Sequence, residues 1–352
     1  MRSVAAANRF LRYFLLARGR VGSHKSWATI GQHIYDYFAF LEAFELDWKL
    51  PNLVGEAGAI AVYRDYCTGP CSLSPRTVNQ RLSTVARFYT YAVSAGLLTE
   101  SASTDRFNIS NKLDVFPRGS PAQGRRSPLR ELLVPTYRED PKFLSLTQVR
   151  DLVRSVQNPT HKLMIRLALQ AGLRREEIAT FPEVYVRKPD ASSHFKIRLD
   201  PRDGSGMRTK GARPRTIYVS AGLMVALWYY RIHTRPTLSG QSCSDGGPLF
   251  LTGRGLPWAD DGRGFHAVLA AIGKKLGIKL WPHLLRHTYA THTLAALQRS
   301  GTSLNPLLFL QKQLGHSSIA TTMTYVHLVD EAVDAAVTAY DVEVGEWSRC
   351  LA

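Results

Sequence analysis

The sequence predicts a mainly α-helical protein with one small antiparallel β-sheet, an α+β arrangement divided into two domains. Apolar residues recur at helical spacing through much of the 352-residue chain. Two short segments, FKIRL and RTIYV, have the composition of strands, and a Gly- and Arg-rich hairpin, DPRDGSGMRTKGARP, joins them. Residues 117–141 are rich in proline and arginine, which is typical of a linker between two folded regions.

The region before this linker is predicted to be all-helical. Residues 26–44 place apolar side chains at helical spacing, and residues 74–98 do the same. In the second segment Ser74 suits the N-cap, and Pro75 suits the first helical position. Gly96 is a suitable stop signal near its end.

The region after the linker opens with helix-entry signals in SLTQVRDLVRSV. A long apolar helix, HKLMIRLALQAGLRREEIATF, follows and is broken at Gly172. Beyond the strands, helical patterns return over 220–233, 262–276, 283–299 and 304–314, and a last stretch from about 325 to 340 is apolar on one face and acidic on the other. The predicted domains are therefore a helical domain at 1–116, a basic linker at 117–141, a second domain at 142–327 and an acidic tail at 328–352.

The distribution of charge indicates the kind of partner. The formal net charge is +17. Residues 1–138 carry 18 basic and 10 acidic groups, residues 139–327 carry 26 and 12, and residues 328–352 carry 1 and 6. Two successive basic bodies predict a polyanion, with nucleic acid favoured, clamped from two sides. Charge alone leaves open that the excess only keeps the protein in solution.

Two classes of protein are disfavoured by composition. No apolar run is long enough to span a bilayer, and arginines interrupt the N-terminal segment, so neither a membrane partner nor a secretory signal is expected. The four cysteines are too few and too scattered for a disulfide framework. We therefore expect a cytoplasmic protein with reduced thiols.

Several side chains of the second domain suit phosphate chemistry. An arginine after the Gly-Leu break needs a partner or a ligand, because its charge cannot be shed, and an acid three residues on can orient it. Together the set supplies two permanent cations, a lysine, two imidazoles and a phenol. Such groups can stabilise a pentacoordinate phosphorane, move protons and act as a nucleophile without metal or nucleotide cofactor. The candidates are Arg174, Lys210, His283, Arg286, His316 and Tyr325, with Glu177 as the supporting acid.

A metal site is the competing interpretation of PHLLRHTYATH. His283 and His287 have the i, i+4 spacing that two ligands on one helix need. His292 is out of phase with them, and no carboxylate lies nearby in the sequence. A metal site is therefore disfavoured.

Four segments taken in order resemble the tyrosine recombinase (phage integrase) family: AGLRREEIATF, TKGARPRTIYV, HLLRHTYATHTL and LGHSSIATTMTYVHL. The resemblance covers roughly residues 145–330, and the helical 26–98 region is similar to the family's core-binding domain. The hairpin departs from the family pattern, because Arg213 stands where a second lysine is frequent and Pro214 is unusual.

The resemblance implies a mechanism and assigns the roles. Tyr325 would attack a DNA phosphodiester, which gives a 3′-phosphotyrosyl link and a free 5′-hydroxyl. Two arginines, Arg174 and Arg286, would hold the non-bridging oxygens. His283 would take the phenolic proton, His316 would donate to the phosphate, and Lys210 would protonate the leaving oxygen.

The resemblance also implies partners. It implies duplex DNA with specific recombination sites, a tetramer on DNA, no cofactor, and a tail that packs on a neighbouring protomer or folds back on its own body. Basic and polar residues on the 74–98 helix and in the linker are candidates for phosphate contacts, with a solvated surface as the alternative: Arg76, Asn79, Arg81, Arg87, Arg125 and Arg126. A type IB topoisomerase, a catalytically silent DNA-binding protein and a metal-dependent nuclease are the competing functions.

Overall fold

The computed structural model describes residues 4–19, 24–49, 58–98, 132–136, 141–240, 247–300 and 304–326. The chain divides into two units, Met1–Arg138 and Glu139–Ala352. The acidic tail at 328–352 and most of the predicted linker lie outside the described residues, and the boundaries between the four predicted regions stay predictions. In the described ranges no helix is long and apolar enough to cross a membrane.

The described part of the first unit is built from helices. They are α1 (Ala5–Leu11), which continues as a π-helical segment at Arg12–Ala17, α2 (His24–Ala43), α3 (Ala59–Thr68) and α4 (Pro75–Ser94). The predicted start of α4 is confirmed, since the Ser74 hydroxyl accepts the Thr77 backbone N–H at 3.3 Å and Pro75 occupies the first turn. Gly96, just past the end of α4, has a left-handed φ of +65°.

Aromatic side chains fill the core of this unit. Phe10, Tyr37, Tyr63 and Phe88 are fully buried and meet mostly edge to face. The two hydroxyls of Tyr37 and Tyr89 share a hydrogen bond of 2.8 Å, which satisfies both buried phenols. The core therefore stabilises the helices through apolar burial and leaves few polar groups without partners.

The second unit combines helices with one hairpin. Its helices are α5 (Leu146–Ser155), α6 (Pro159–Ala171), α7 (Arg175–Ala179), α8 (Ala221–Tyr229), α9 (Arg235–Ser239), α10 (Arg263–Lys275), α11 (Pro282–Arg299), α12 (Pro306–Leu314) and α13 (Ile319–Met323). Strands β1 (His194–Leu199) and β2 (Arg215–Ser220) pair antiparallel, with Ile197 opposite Ile217. The predicted fold class, mainly α with a small antiparallel sheet, is confirmed.

Helix α6 lies at the centre of the second unit. Nearly every residue from Thr160 to Ala171 is buried, and the helix packs against α11. The Gln313 side chain on α12 holds the neighbouring elements together: its amide donates to the carbonyl oxygens of Ala171 and Tyr218 and accepts the Tyr218 N–H at 2.8 Å. The end of α6, the middle of β2 and the end of α12 are thereby brought together.

The Ser/Thr-rich run before Tyr325 is partly helical. It contains the short helix α13, and Thr322 within it is fully buried. Residues of this composition have little intrinsic preference for a helix, so packing stabilises the turn here.

Candidate active site

Arg174 lies in the turn between α6 and α7. Gly172, which ends α6, has a left-handed φ of +66°, and a Cβ there would lie 2.4 Å from the Tyr289 ring. The turn therefore requires glycine for both its backbone conformation and its close packing. It places the guanidinium of Arg174 where Nη1 donates to Glu177 Oε1 at 3.0 Å and Nη2 donates to the Gly315 carbonyl oxygen at 3.2 Å.

Arg286, on α11, is the second arginine of the site and is only 1% exposed. Its Nη1 donates to the Gly172 carbonyl oxygen and its Nη2 to the Leu314 carbonyl oxygen, both at 2.5 Å. These carbonyls end α6 and α12, where the helix dipoles carry partial negative charge. Burial and the positive charge of Arg174 lower the pKa of Arg286, but both Nη atoms stay hydrogen-bonded.

Glu177 is a buried carboxylate between cations. It accepts from Arg215 through two parallel bonds, Nη1 to Oε1 at 2.5 Å and Nη2 to Oε2 at 2.7 Å, and from the Arg174 backbone N–H at 2.7 Å. Burial raises the pKa of Glu177, but the hydrogen bonds and charge of Arg215 and the charges of Arg174 and Arg286 lower it to about 2. The ionised carboxylate orients Arg174 as the sequence predicts.

Arg215 was not identified from the sequence. Its Nε donates to the Gln313 carbonyl oxygen at 3.1 Å, so one guanidinium joins β2, Glu177 and the end of α12. A usable signal was present in the strand pattern. Arg215 shares its face of β2 with Ile217 and Val219, which are fully buried, and an inward-facing arginine needs an anionic partner.

Tyr325 is buried at the end of the last described segment, with 2% of its surface exposed. The Oη atom lies 2.8 Å from Nδ1 of His287, and the His287 ring is tilted by 50° to the phenol. Burial raises the pKa of Tyr325, while Arg286 and Arg174 lower it through their charge. The phenol therefore lies within the field of both arginines that were predicted to share its site.

His316 also lies beside the phenol ring. Its ring is parallel to that of Tyr325, with 6.3 Å between the centroids and an angle of 9°. Its Nδ1 is hydrogen-bonded to the hydroxyl of Thr322 at 3.0 Å, which orients the ring. Burial and the charges of Arg286 and Arg174 lower the pKa of His316 to about 3, so the imidazole is neutral at pH 7.

His283 and Lys210 lie at the solvent side of the site. The His283 ring is edge-on to His287, 4.4 Å away by centroid. Loss of hydration and the charges of Arg286, Arg174 and Lys210 lower the pKa of His283 to about 4. Lys210 is exposed, at the start of a turn that runs through Gly211 and Ala212 with left-handed backbone. The structure thus brings all six predicted catalytic side chains and Glu177 into one region.

His292 does not join these imidazoles. It is buried deeper along α11, and its Nε2 is 2.8 Å from the Leu144 carbonyl oxygen. Next to it, the hydroxyl of Thr288 accepts the Leu144 N–H at 3.0 Å. His292 therefore anchors the start of the second unit to α11. Among the described residues no group of three or more potential ligands is arranged to hold a metal ion.

The residues of α4 that were predicted to contact DNA lie in different settings. Arg76 is exposed. The Asn79 amide donates to the Val134 carbonyl oxygen at 2.8 Å and accepts the Val134 N–H at 2.9 Å. Arg81 forms an ion pair with Asp36 at 2.6 Å. Asn79 and Arg81 are thus engaged within their own unit, and Arg76 is the one of these three that faces solvent.

Arg87 lies over an aromatic ring. Its guanidinium carbon is 5.6 Å from the centroid of Phe14, a cation–π geometry. Burial and the charge of Arg18 lower the pKa of Arg87. Arg125 and Arg126 lie outside the described residues.

The Tyr325 phenol therefore lies in one cluster with the imidazoles of His287 and His316, in the field of the guanidinium groups of Arg174 and Arg286. Residues 142–332 match the phage integrase family, and the chain belongs to that family. The family membership that the four segments predict is therefore confirmed.

One relative agrees with this assignment. The tyrosine recombinase XerA of Saccharolobus solfataricus is 31% identical over 192 residues, which are 54% of this chain and 54% of that protein. The matched region thus spans about half the length of that relative.

Two solved structures share the fold. The XerH site-specific recombinase bound to its palindromic difH substrate is 16% identical, with 94% of this chain and 93% of that chain covered and a TM-score of 0.59. A lambda integrase tetramer bound to a Holliday junction is 12% identical, with 90% and 78% covered and a TM-score of 0.53. At these identities the likeness is one of fold.

Proposed function

We propose that this protein is a site-specific DNA recombinase that cleaves and rejoins DNA strands through a 3′-phosphotyrosyl intermediate. The observation that carries the proposal is the position of the Tyr325 phenol. It is buried in the field of Arg286 and Arg174 and hydrogen-bonded to an imidazole. A buried structural tyrosine needs one hydrogen-bond partner but no pair of cations, whereas both serve a nucleophile aimed at a phosphodiester.

The two arginines stabilise the charge that grows on the phosphate. Arg286 is held by the carbonyls of Gly172 and Leu314, and Arg174 by Glu177 and the Gly315 carbonyl, so neither has to reorganise during the reaction. As the phenolic oxygen bonds to phosphorus, negative charge accumulates on the two non-bridging oxygens. The planar guanidinium groups match that geometry better than ammonium groups do.

Hydrogen bonding and proton transfer complete each step. His316, with Nδ1 held by Thr322, is oriented to donate a hydrogen bond from Nε2 to a non-bridging oxygen. Lys210 protonates the 5′-oxygen as its bond to phosphorus breaks, and its place on an exposed turn lets it reach the leaving group. A 5′-hydroxyl from another strand then attacks the phosphotyrosine, which restores a phosphodiester and frees Tyr325. The proposed reaction needs no nucleotide, because the phosphotyrosine conserves the energy of the phosphodiester bond. It needs no metal ion, because the two arginines neutralise the charge on the phosphate.

The proposed partners follow from the reaction. Exchange between two duplexes needs four strand cleavages, so we assign the protein a tetramer on a pair of specific recombination sites. A lambda integrase tetramer on a Holliday junction, with a similar fold, supports this assignment.

The proposed location is the bacterial cytoplasm, at the nucleoid, because the substrate is intracellular DNA. The proposed task is integration, excision or another movement of a mobile element. The acidic tail is proposed to pack on a neighbouring protomer. A protein truncated after Leu328 that still paired and recombined sites would contradict that role.

The test starts from the unknown target sequence. A library of nicked duplexes with a randomised centre is incubated with the protein, and covalent complexes are isolated under denaturing conditions and sequenced. We expect a defined site to be enriched, an adduct that survives in chelator, and none with Tyr325→Phe. Salt-dependent binding without an adduct would instead indicate a silent DNA-binding protein. Relaxation of supercoils by an active protein that never exchanges strands between two duplexes would indicate topoisomerase-like activity.

A further inference from the structure

The hydrogen bond of Tyr325 goes to a histidine outside the predicted set. His287 follows Arg286 on α11 and lies one helical turn after His283, so both histidines face the same side. The atom that meets the phenolic Oη, at 2.8 Å, is Nδ1 of His287. The sequence resemblance implies His283 as the proton acceptor, but the geometry favours its neighbour.

The two histidines have different surroundings. The charges that lower the pKa of His283 are those of Arg286, Arg174 and Lys210, the cations assigned to the phosphate. Besides burial, the pKa of His287 is lowered by His283 and Arg286. His283 therefore faces the place where the phosphate binds, and His287 faces the nucleophile. Their rings are in contact, 4.4 Å apart by centroid.

The phenol needs a proton acceptor that is already in place. Tyr325 is 2% exposed, so water has little access to its hydroxyl. Burial raises the pKa of the phenol, which makes spontaneous ionisation near pH 7 rarer still. Burial lowers the pKa of the His287 imidazole to about 3, so it is neutral and keeps a lone pair on one ring nitrogen. With the proton on Nε2, the lone pair of Nδ1 points at the phenolic hydroxyl.

We infer that His287 is a catalytic residue that accepts the Tyr325 phenolic proton during attack on DNA, an inference that rests on the proposed recombinase function. In the step, the proton of Oη moves to Nδ1 as the Oη–P bond forms. The P–O5′ bond breaks, and the 5′-oxygen receives a proton from Lys210. The resulting imidazolium lies next to the phosphate now bonded to Tyr325, whose negative charge stabilises it. In rejoining, His287 returns the proton to Oη as the phosphotyrosine bond breaks.

The position of His287 is set by its helix. Near the middle of α11 the Thr288 hydroxyl and His292 bind the backbone of Leu144 at 3.0 Å and 2.8 Å. Arg286, the preceding residue, is fixed by two carbonyls. A proton acceptor on this rigid helix keeps its place while the segment that carries Tyr325 docks against it. His283 is then free to donate a hydrogen bond to the phosphate.

The first test compares two substitutions of His287 on the mapped nicked duplex. Glutamine keeps an acceptor oxygen near the phenol but cannot hold the proton, whereas alanine removes both functions. We expect both His287→Gln and His287→Ala to slow formation of the covalent complex by about 100-fold or more, the usual size of a lost general base. Wild-type rates for His287→Gln would show that the residue only positions the phenol, and they would overturn the inference.

The second test makes the phenol more acidic. A ring-fluorinated tyrosine at position 325 depends less on a base, so it should restore most of the rate lost in His287→Gln. His283→Gln serves as the matched control on the same helix face, and its loss should persist with the fluorinated phenol. Rescue of His283→Gln and not of His287→Gln would reassign the proton acceptor to His283 and overturn the inference.

Two controls separate the possible failures. The ¹⁹F signal of the fluorinated Tyr325, recorded without DNA, reports whether the phenol is docked, and it should stay at the buried position in His287→Gln. An exposed signal in that variant, with activity restored by excess DNA, would reduce His287 to a docking contact and contradict the inference. If wild-type protein forms no adduct with any duplex, the proposed function fails. If it forms one that is indifferent to His287, only the present inference fails.

Discussion

Glu177 and Arg215 form a two-point ion pair inside the candidate active site, with Oε1 to Nη1 at 2.5 Å and Oε2 to Nη2 at 2.7 Å. The carboxylate is 1% exposed and the guanidinium 9%. The same carboxylate holds Arg174, and the same guanidinium holds the end of α12. One buried pair thus connects Arg174 to the end of α12, next to the turn that carries His316.

Removing one partner of this pair should destabilise the protein. Arg215→Ala leaves Glu177 as a buried charge without its main partner, which costs about 3–5 kcal/mol in comparable cases. Denaturant unfolding of the full chain measures the loss. The matched control is Arg208→Ala, whose guanidinium is 63% exposed and pairs with Asp261 at 3.0 Å, an interaction worth about 1 kcal/mol or less. Equal losses in the two variants would contradict the role assigned to Arg215.

Stability should fall as the pH is lowered from neutral. The folded pKa of His316 and of His287 is lowered to about 3, below the ordinary value of 6.5, so the unfolded chain binds these protons first. Stability from these groups is complete above pH 6.5 and is lost as the pH falls toward the folded values. Glu177, whose pKa is lowered from 4.5 to about 2, adds a loss in the same direction below pH 4.5.

The slope of the unfolding free energy against pH measures the contribution of a single histidine. Between pH 6 and pH 4.5, each buried neutral histidine contributes a slope of about 1.4 kcal/mol per pH unit. His316→Asn should remove about that much from the pH dependence of the unfolding free energy. An unchanged slope in this variant would mean that His316 is hydrated in the folded protein.

Gly315 should not tolerate a side chain. It has a left-handed φ of +65°, and a Cβ would lie 2.6 Å from Cδ of Arg215. Gly315→Ala therefore adds a clash with Arg215 to the backbone strain and should displace the carbonyl that holds Arg174, with loss of adduct formation. Gly204→Ala is the control, because its φ is +76° with open space around the new methyl group, so it should cost about 1–2 kcal/mol and leave cleavage intact.

Arg174→Lys should lose most of the cleavage activity. The guanidinium binds Glu177 and the Gly315 carbonyl through separate nitrogens and must still face the phosphate. A single ammonium group replaces that fork with one point charge. The rate of covalent-complex formation on the mapped site measures the loss. Full activity would remove Arg174 from the catalytic set.

The basic residues of α4 should separate by function. Arg76→Ala should weaken DNA binding and reduce the slope of log K against log salt by about 1, as for one lost phosphate contact. Arg81→Ala removes the partner of Asp36 and should mainly lower the thermal stability of the first unit. A salt slope that is unchanged in Arg76→Ala would take that residue out of the DNA interface.

The sequence by itself determined several of the helices, among them α2 and α4, and the strand pair, and it supplied the six candidate groups of the site. Caps, glycine stops and apolar spacing are local signals, so Ser74, Gly172 and the strand pair were readable without coordinates. The candidate side chains were selected because each lies in a short segment that resembles the family.

Only the tertiary structure decided which groups meet. The partners of Glu177 and of the Tyr325 phenol, Arg215 and His287, are 38 residues away along the chain in both cases. No local pattern encodes such a pairing, because packing of α6, β2, α11 and α12 sets it. The same holds for Asn79 and Arg81, whose residue types suit phosphate but which bind Val134 and Asp36 within the first unit. The sequence therefore determines which types of chemical group are present, whereas the partner of the Tyr325 phenol and the partner of Glu177 depend on the folded chain.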